Sequence, residues 1–158
     1  MKRFFCCGVV AVMMLLLLVG CGQKGSANDA GDSSLNSMID EYFSLAEQGG
    51  AQSVWQRFPD LMGDDVRVYG EKVKSYTVDE SVTASQVATP EKIGAHGRAF
   101  QREFGGMHTP ADDYAECVVS AEFHNNKTKQ YKFLFGKYGT EWTLIYVDGV
   151  TRLMDWEK

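Results

Sequence analysis

The last third of the chain alternates. Over residues 114–124, Ala115, Cys117, Val119, Ala121 and Phe123 fall on one parity; Tyr114, Glu116, Val118, Ser120, Glu122 and His124 fall on the other. A period of two is the mark of a β-strand. It returns over residues 130–135, where Tyr131, Phe133 and Phe135 share a face, and over residues 141–147, where Trp142, Leu144 and Tyr146 do. Turn-forming residues separate the runs, at His124-Asn125-Asn126-Lys127 and at Tyr138-Gly139, and Asp148-Gly149 is a hairpin signal that predicts one more strand over residues 150–154. Strands joined by such short turns pair with their neighbours. The pattern therefore predicts an antiparallel meander of three or four strands, which must be covered by something apolar.

The cover comes earlier in the chain. Leu35, Met38, Ile39, Tyr42, Leu45 and Ala46 form a stripe at helical spacing, with Ser33 or Ser34 as cap and Gly49-Gly50 as stop. A second short helix carries Val54, Trp55 and Phe58 and is broken or tightened by Pro59, which has no N–H to donate. A strand is expected over residues 72–82. Thr89-Pro90-Glu91 then opens a helix whose apolar face is Ile93, His96 or Gly97, Phe100 and Phe104, ended by Gly105-Gly106. Helices precede the sheet and do not alternate with its strands. The expected class is α+β, with two or three N-terminal helices on a curved antiparallel sheet.

The N-terminus has a different character. Met1-Lys2-Arg3 is cationic, and residues 9–19 are an unbroken apolar run of 11 residues. That is too short to span a bilayer, which needs about 20 helical residues. A cationic start, a short apolar run and a small-residue exit make an export signal, residues 1–20. The exit, Leu18-Val19-Gly20-Cys21, resembles the lipobox of bacterial lipoproteins. The resemblance implies that Cys21 is diacylated on sulfur after cleavage before it. Several acyl chains then hold the chain stably, each buried CH₂ adding about 0.8 kcal/mol. Residues 21–33 read as the lipidated cysteine and a polar tether, and residues 34–158 as one domain. The expected location is the extracytoplasmic face of the cell membrane or outer membrane.

The net charge of −5 includes Lys2 and Arg3, so it becomes −7 without the signal. An acidic surface excludes nucleic acid as an expected partner. Of 4 cysteines, Cys6 and Cys7 leave with the signal and Cys21 takes lipid, so Cys117 stands alone in an apolar run and reads as a buried thiol.

The helix–helix start closing on Pro59, the run Trp55-Gln56-Arg57-Phe58-Pro59-Asp60-Leu61-Met62 and the end Lys137-Tyr138-Gly139-Thr140-Glu141-Trp142 through Asp148-Gly149 resemble the nuclear-transport-factor-2-like (cystatin-like) lipoproteins of bacteria. The resemblance spans about residues 34–150. It implies a cone with a pocket between the long helix and the sheet. Some relatives in that fold move protons with an Asp and a His or Tyr, and others bind ligands or partners without chemistry.

Trp55, Phe100, Tyr131, Trp142 and Tyr146 are the candidate pocket residues, the tyrosines and tryptophans because each joins apolar bulk to a polar handle. His96, and His108 with Asp112, are the candidates for proton transfer. Glu116 and Glu122 would be pocket acids on a concave face; the pattern favours the outer, solvated one. No phosphate loop, nucleophile elbow or metal-ligand spacing occurs, and no cofactor or metal is expected. The expectation is a membrane-tethered module that binds a small ligand or an envelope protein. The alternatives are a pocket enzyme using His and Asp, or a structural module that forms a homodimer through its sheet.

Overall fold

The computed structural model describes residues 33–61, 63–64, 72–103, 106 and 109–149. Cys21, the signal, the tether, His108 and residues 150–154 lie outside them. The class is α+β, with an N-terminal helix on an open antiparallel sheet.

Helix α1 spans Ser33–Arg57, but its backbone leaves the helical region at Gly50, with φ 65° and ψ −158°. That combination is open almost only to glycine. The bend is large. Arg57 Nε donates to Glu41 Oε1 at 2.6 Å, although 16 residues of straight helix would separate them by ~24 Å. The two halves therefore fold back on each other, and Gly49-Gly50 acts as the break its sequence predicts. Leu35, Ile39, Tyr42, Phe43 and Ala46 of the first half and Val54 of the second are buried.

The sheet contains β1 (Gly63–Asp64), β2 (Val73–Thr83), β3 (Asp113–Phe123), β4 (Thr128–Tyr138) and β5 (Glu141–Asp148), in the order β1-β5-β4-β3-β2. Strands β2 to β5 are antiparallel, and β1 pairs parallel with β5 through Gly63↔Tyr146 and Asp64↔Val147. Between β2 and β3 run α2 (Ala84–Val87), which the sequence pattern does not predict, and α3 (Pro90–Glu103).

The sheet is covered on both faces. Under α1 lies the larger core, where Tyr42, Phe43, Phe58, Phe123, Tyr131, Phe133 and Phe135 pack with Ala115, Cys117, Val119 and Leu144. Aromatic edges meet faces there: Tyr42 and Phe133 stand 5.2 Å apart at 88°. On the opposite face, under α2 and α3, a smaller core joins Ala84, Ile93, Ala111, Tyr114, Leu134 and Ile145. Cys117 is buried, and burial pushes its thiol pKa up.

Two register shifts distribute residues between these cores. In β2 the ladder slips between Val78 and Glu80, so Val78 packs in the first core and Val82 against the second. In β5 it slips between Leu134↔Tyr146 and Phe135↔Leu144, which leaves Ile145 as an extra residue. The expected shared face of Trp142, Leu144 and Tyr146 is corrected here. Trp142 and Leu144 belong with the first core, whereas Ile145 and Tyr146 belong with the second.

Candidate functional site

A cleft of about 350 Å³ opens between α3 and the sheet, on the face away from α1. Its helical wall is His96, Ala99, Phe100 and Glu103, residues at spacings of three and four that share one side of α3. Its floor is Lys132 and Leu134 of β4 with Tyr146 and Asp148 of β5. These four form a two-by-two patch, because Lys132 pairs with Asp148 and Leu134 with Tyr146 across the ladder.

The helix is brought down on the sheet by a residue with no side chain. Gly97 is buried, and a Cβ there would stand 2.7 Å from Tyr114 Oη and 3.2 Å from Pro110 Cβ. Tyr114 is itself fixed, since its hydroxyl accepts from Ala111 N at 3.0 Å. Thr89 and Pro90 begin α3, with Thr89 O accepting from Ile93 N at 3.0 Å. The Phe100 and Tyr146 rings join wall to floor edge to face, centroids 6.2 Å apart at 87°.

Charge is concentrated under the helix. Lys132 Nζ lies 3.7 Å from Glu116 Oε1, with the Glu116 side chain fully buried and the Lys132 side chain 13 % exposed. A carboxylate sealed from water is costly unless paired, so Glu116 holds the ammonium at the floor of the cleft. Tyr146 donates a long hydrogen bond, 3.5 Å, to Asp148 Oδ2.

The candidates taken from sequence divide. His96, Phe100 and Tyr146 line this one cleft. Tyr131 is buried in the first core, with its ring 6.1 Å from Phe43 and 6.4 Å from Phe123. Trp142 packs against that same core beneath the Lys137 ammonium, which is 5.5 Å from the ring. Trp55 is 58 % exposed on the outer side of α1. Asp112 serves a turn: its Oδ2 accepts from Gly139 N at 2.8 Å, and its own N–H donates to Lys137 O. These four residues therefore do not line the cleft. The described cleft lies across the sheet from α1.

The outer-face reading of the two glutamates is half corrected. Glu122 is partly exposed and accepts from Lys74 Nζ at 2.7 Å, which lowers its pKa. Glu116 is fully buried, on the strand face whose Tyr114 packs against Gly97 of α3. Lys132, Glu103, Leu134 and Asp148 were missed. One signal was available for Lys132, a single charge inside the buried run Tyr131–Phe135.

Among the described residues, no group of three or more His, Cys, Asp or Glu side chains could hold a metal ion, and no helix is long and apolar enough to cross a membrane. A scan against protein-family models, a search of curated proteins and a search of solved structures each return no match.

Proposed function

We propose that this chain is a lipid-anchored extracytoplasmic binding module that takes a small ligand in the cleft between α3 and the sheet. The anchor rests on the signal-like segment ending at Cys21. The binding role rests on the cleft itself. Ligand sites are concave and mostly apolar, with a few polar groups aimed inward, and run from about 300 to 1,000 Å³. Here Phe100, Leu134 and Tyr146 supply the apolar wall, and His96, Glu103, Lys132 and Asp148 supply the polar groups. The helical hairpin, the strand and helix after it and the closing meander support the likeness to nuclear-transport-factor-2-like lipoproteins. Native mass spectrometry of the intact chain from its host tests the reading. A bound small mass is expected; a bare lipoprotein mass, unchanged in Phe100→Ala, overturns it.

A second reading, a pocket enzyme, has one observation in its favour. His96 lines the same cleft as the carboxylates Glu103 and Asp148, the pairing that proton transfer needs. It predicts that any bound compound is converted on standing, and that His96→Ala stops the conversion without stopping binding. The homodimer reading requires an exposed apolar sheet face. Among the described residues, the large apolar side chains counted as exposed are Trp55 and Val87, both on helices.

A further inference from the structure

Resting on the reading of the cleft as a small-ligand site, we propose that residues 150–158 of the chain itself occupy that cleft, and that a ligand binds by displacing them. The segment starts at the cleft. Asp148 lines it, β5 ends there, and the backbone bends at Gly149. Residues 150–158 span up to about 30 Å when extended. The α3 wall from His96 to Glu103 is about 10 Å long, so the segment is long enough to run along it.

Its chemistry matches the lining. Leu153, Met154 and Trp156 are large and apolar, and Arg152 and Asp155 place one charge of each sign among them. The lining likewise joins apolar bulk, at Phe100 and Leu134, to groups of both signs, Lys132 with Glu103 and Asp148. Aromatic rings gain from edge-to-face contact beyond plain burial, so the Phe100 and Tyr146 rings suit the indole of Trp156. A second observation comes from the walls themselves. His96, Phe100, Lys132, Tyr146 and Asp148 each take part in a hydrogen bond, ion pair, ring contact or electrostatic interaction beyond those given above. They belong to both the helical and the strand wall, and one occupant running along the cleft accounts for all of them. Because the segment is joined to β5, its local concentration is about millimolar. A ligand then competes with a tethered rival, and its apparent affinity falls with the fraction of chains whose cleft is open.

The test uses the full chain in neutral detergent. Ala99→Cys, in the α3 wall, is combined in separate variants with Thr151→Cys, Leu153→Cys or Trp156→Cys. Mild oxidation is expected to link Ala99→Cys to at least one of the three, as mapped by mass spectrometry of the digested chain. Arg98→Cys, exposed on the same helix but outside the cleft lining, is expected to link to none. Leu153→Ala with Trp156→Ala is expected to bind the apolar dye anilinonaphthalenesulfonate about tenfold more tightly than the unaltered chain does. Adding Phe100→Ala should cancel that gain. Linkage absent from Ala99→Cys, or equal at Arg98→Cys, overturns the proposal; dye binding that Phe100→Ala removes then leaves the cleft reading standing. Linkage at Ala99→Cys with equal dye affinity in both chains overturns the displacement. Linkage there with no dye bound by any variant leaves the segment as a fixed part of the fold, and overturns both the displacement and the reading of the cleft as a ligand site.

Discussion

Lys132 and Glu116 meet 3.7 Å apart under α3, on adjacent strands, with the carboxylate closed off from water. A buried pair of this kind contributes little net stability when intact, but breaking it from one side is expensive. Lys132→Met should therefore destabilise the fold by about 3–5 kcal/mol, because a buried charge loses its counterpart. Glu116→Leu with Lys132→Met should recover most of that loss. Denaturant midpoints of the single and double variants check this; equal losses would mean that the pair acts through packing alone.

Gly50 holds φ 65° and ψ −158° at the reversal of α1. Any side chain there is strained, at about 1–3 kcal/mol. Gly50→Ala should lower stability by that amount. Gly50→Ala should also weaken the Arg57–Glu41 contact, since the reversal brings them together. Thermal unfolding measures the first effect. Loss of coupling between Arg57→Ala and Glu41→Ala in a double-mutant cycle measures the second.

Gly97 sets how closely α3 approaches the sheet. A methyl group there would press on Tyr114 Oη and Pro110 Cβ. Overpacking of this sort costs about 1–3 kcal/mol, against which alanine regains ~1 kcal/mol of helix propensity. Gly97→Ala should be neutral to moderately destabilising and should lift the α3 wall. Weaker binding of a cleft ligand with little change in melting temperature is the expected result. Unchanged binding would show that the helix position does not set the width of the cleft.

Tyr76 donates to Asp40 Oδ1 at 2.7 Å. Burial first, and then that carboxylate, raise its phenol pKa well above the ordinary value of 10.0. Burial also raises Tyr114 and Tyr138. In each case the folded state keeps its proton while the unfolded chain loses one. Stability from these groups is thus complete below about pH 10 and falls as pH rises from there through the folded values. Tyr76→Phe should flatten this alkaline decline without abolishing it. Unfolding free energies measured from pH 8 to pH 11 decide the matter, and an unchanged slope would remove Tyr76 from the account.

The elements most legible in the sequence were those whose pattern is local. The alternation of β3 and β4, the stripe of α1, the stop at Gly49-Gly50 and the Thr89-Pro90 start all follow from period and from residue chemistry within a few positions. What escaped depended on the far side of a ladder. Ile145 is a good strand residue among good strand residues, and nothing beside it says that the partner strand skips it. Asp79 at the slip in β2 is equally silent. Without those slips the second core was invisible, so Glu116 looked solvated and Lys132 looked incidental. His96, Phe100 and Tyr146 could each be named as chemically capable, but only the fold brings them to one cleft. Trp55, Tyr131, Trp142 and Asp112 had equally capable side chains, which serve surface, core and turn.

The extra residue in β5 works like a frame shift in the backbone. Every side chain downstream of Ile145 changes sides, so Tyr146 and Asp148 reach the cleft while Val147 enters the larger core. Deleting Ile145 would restore strict alternation and leave Tyr146 and Asp148 facing α3, because Tyr146 would then follow Leu144 directly; the loss would fall on the smaller core, which Ile145 helps to fill. The surplus residue thus lets β5 give two neighbours, Ile145 and Tyr146, to one face, one to fill the smaller core and one to floor the cleft, which an evenly alternating strand does not allow.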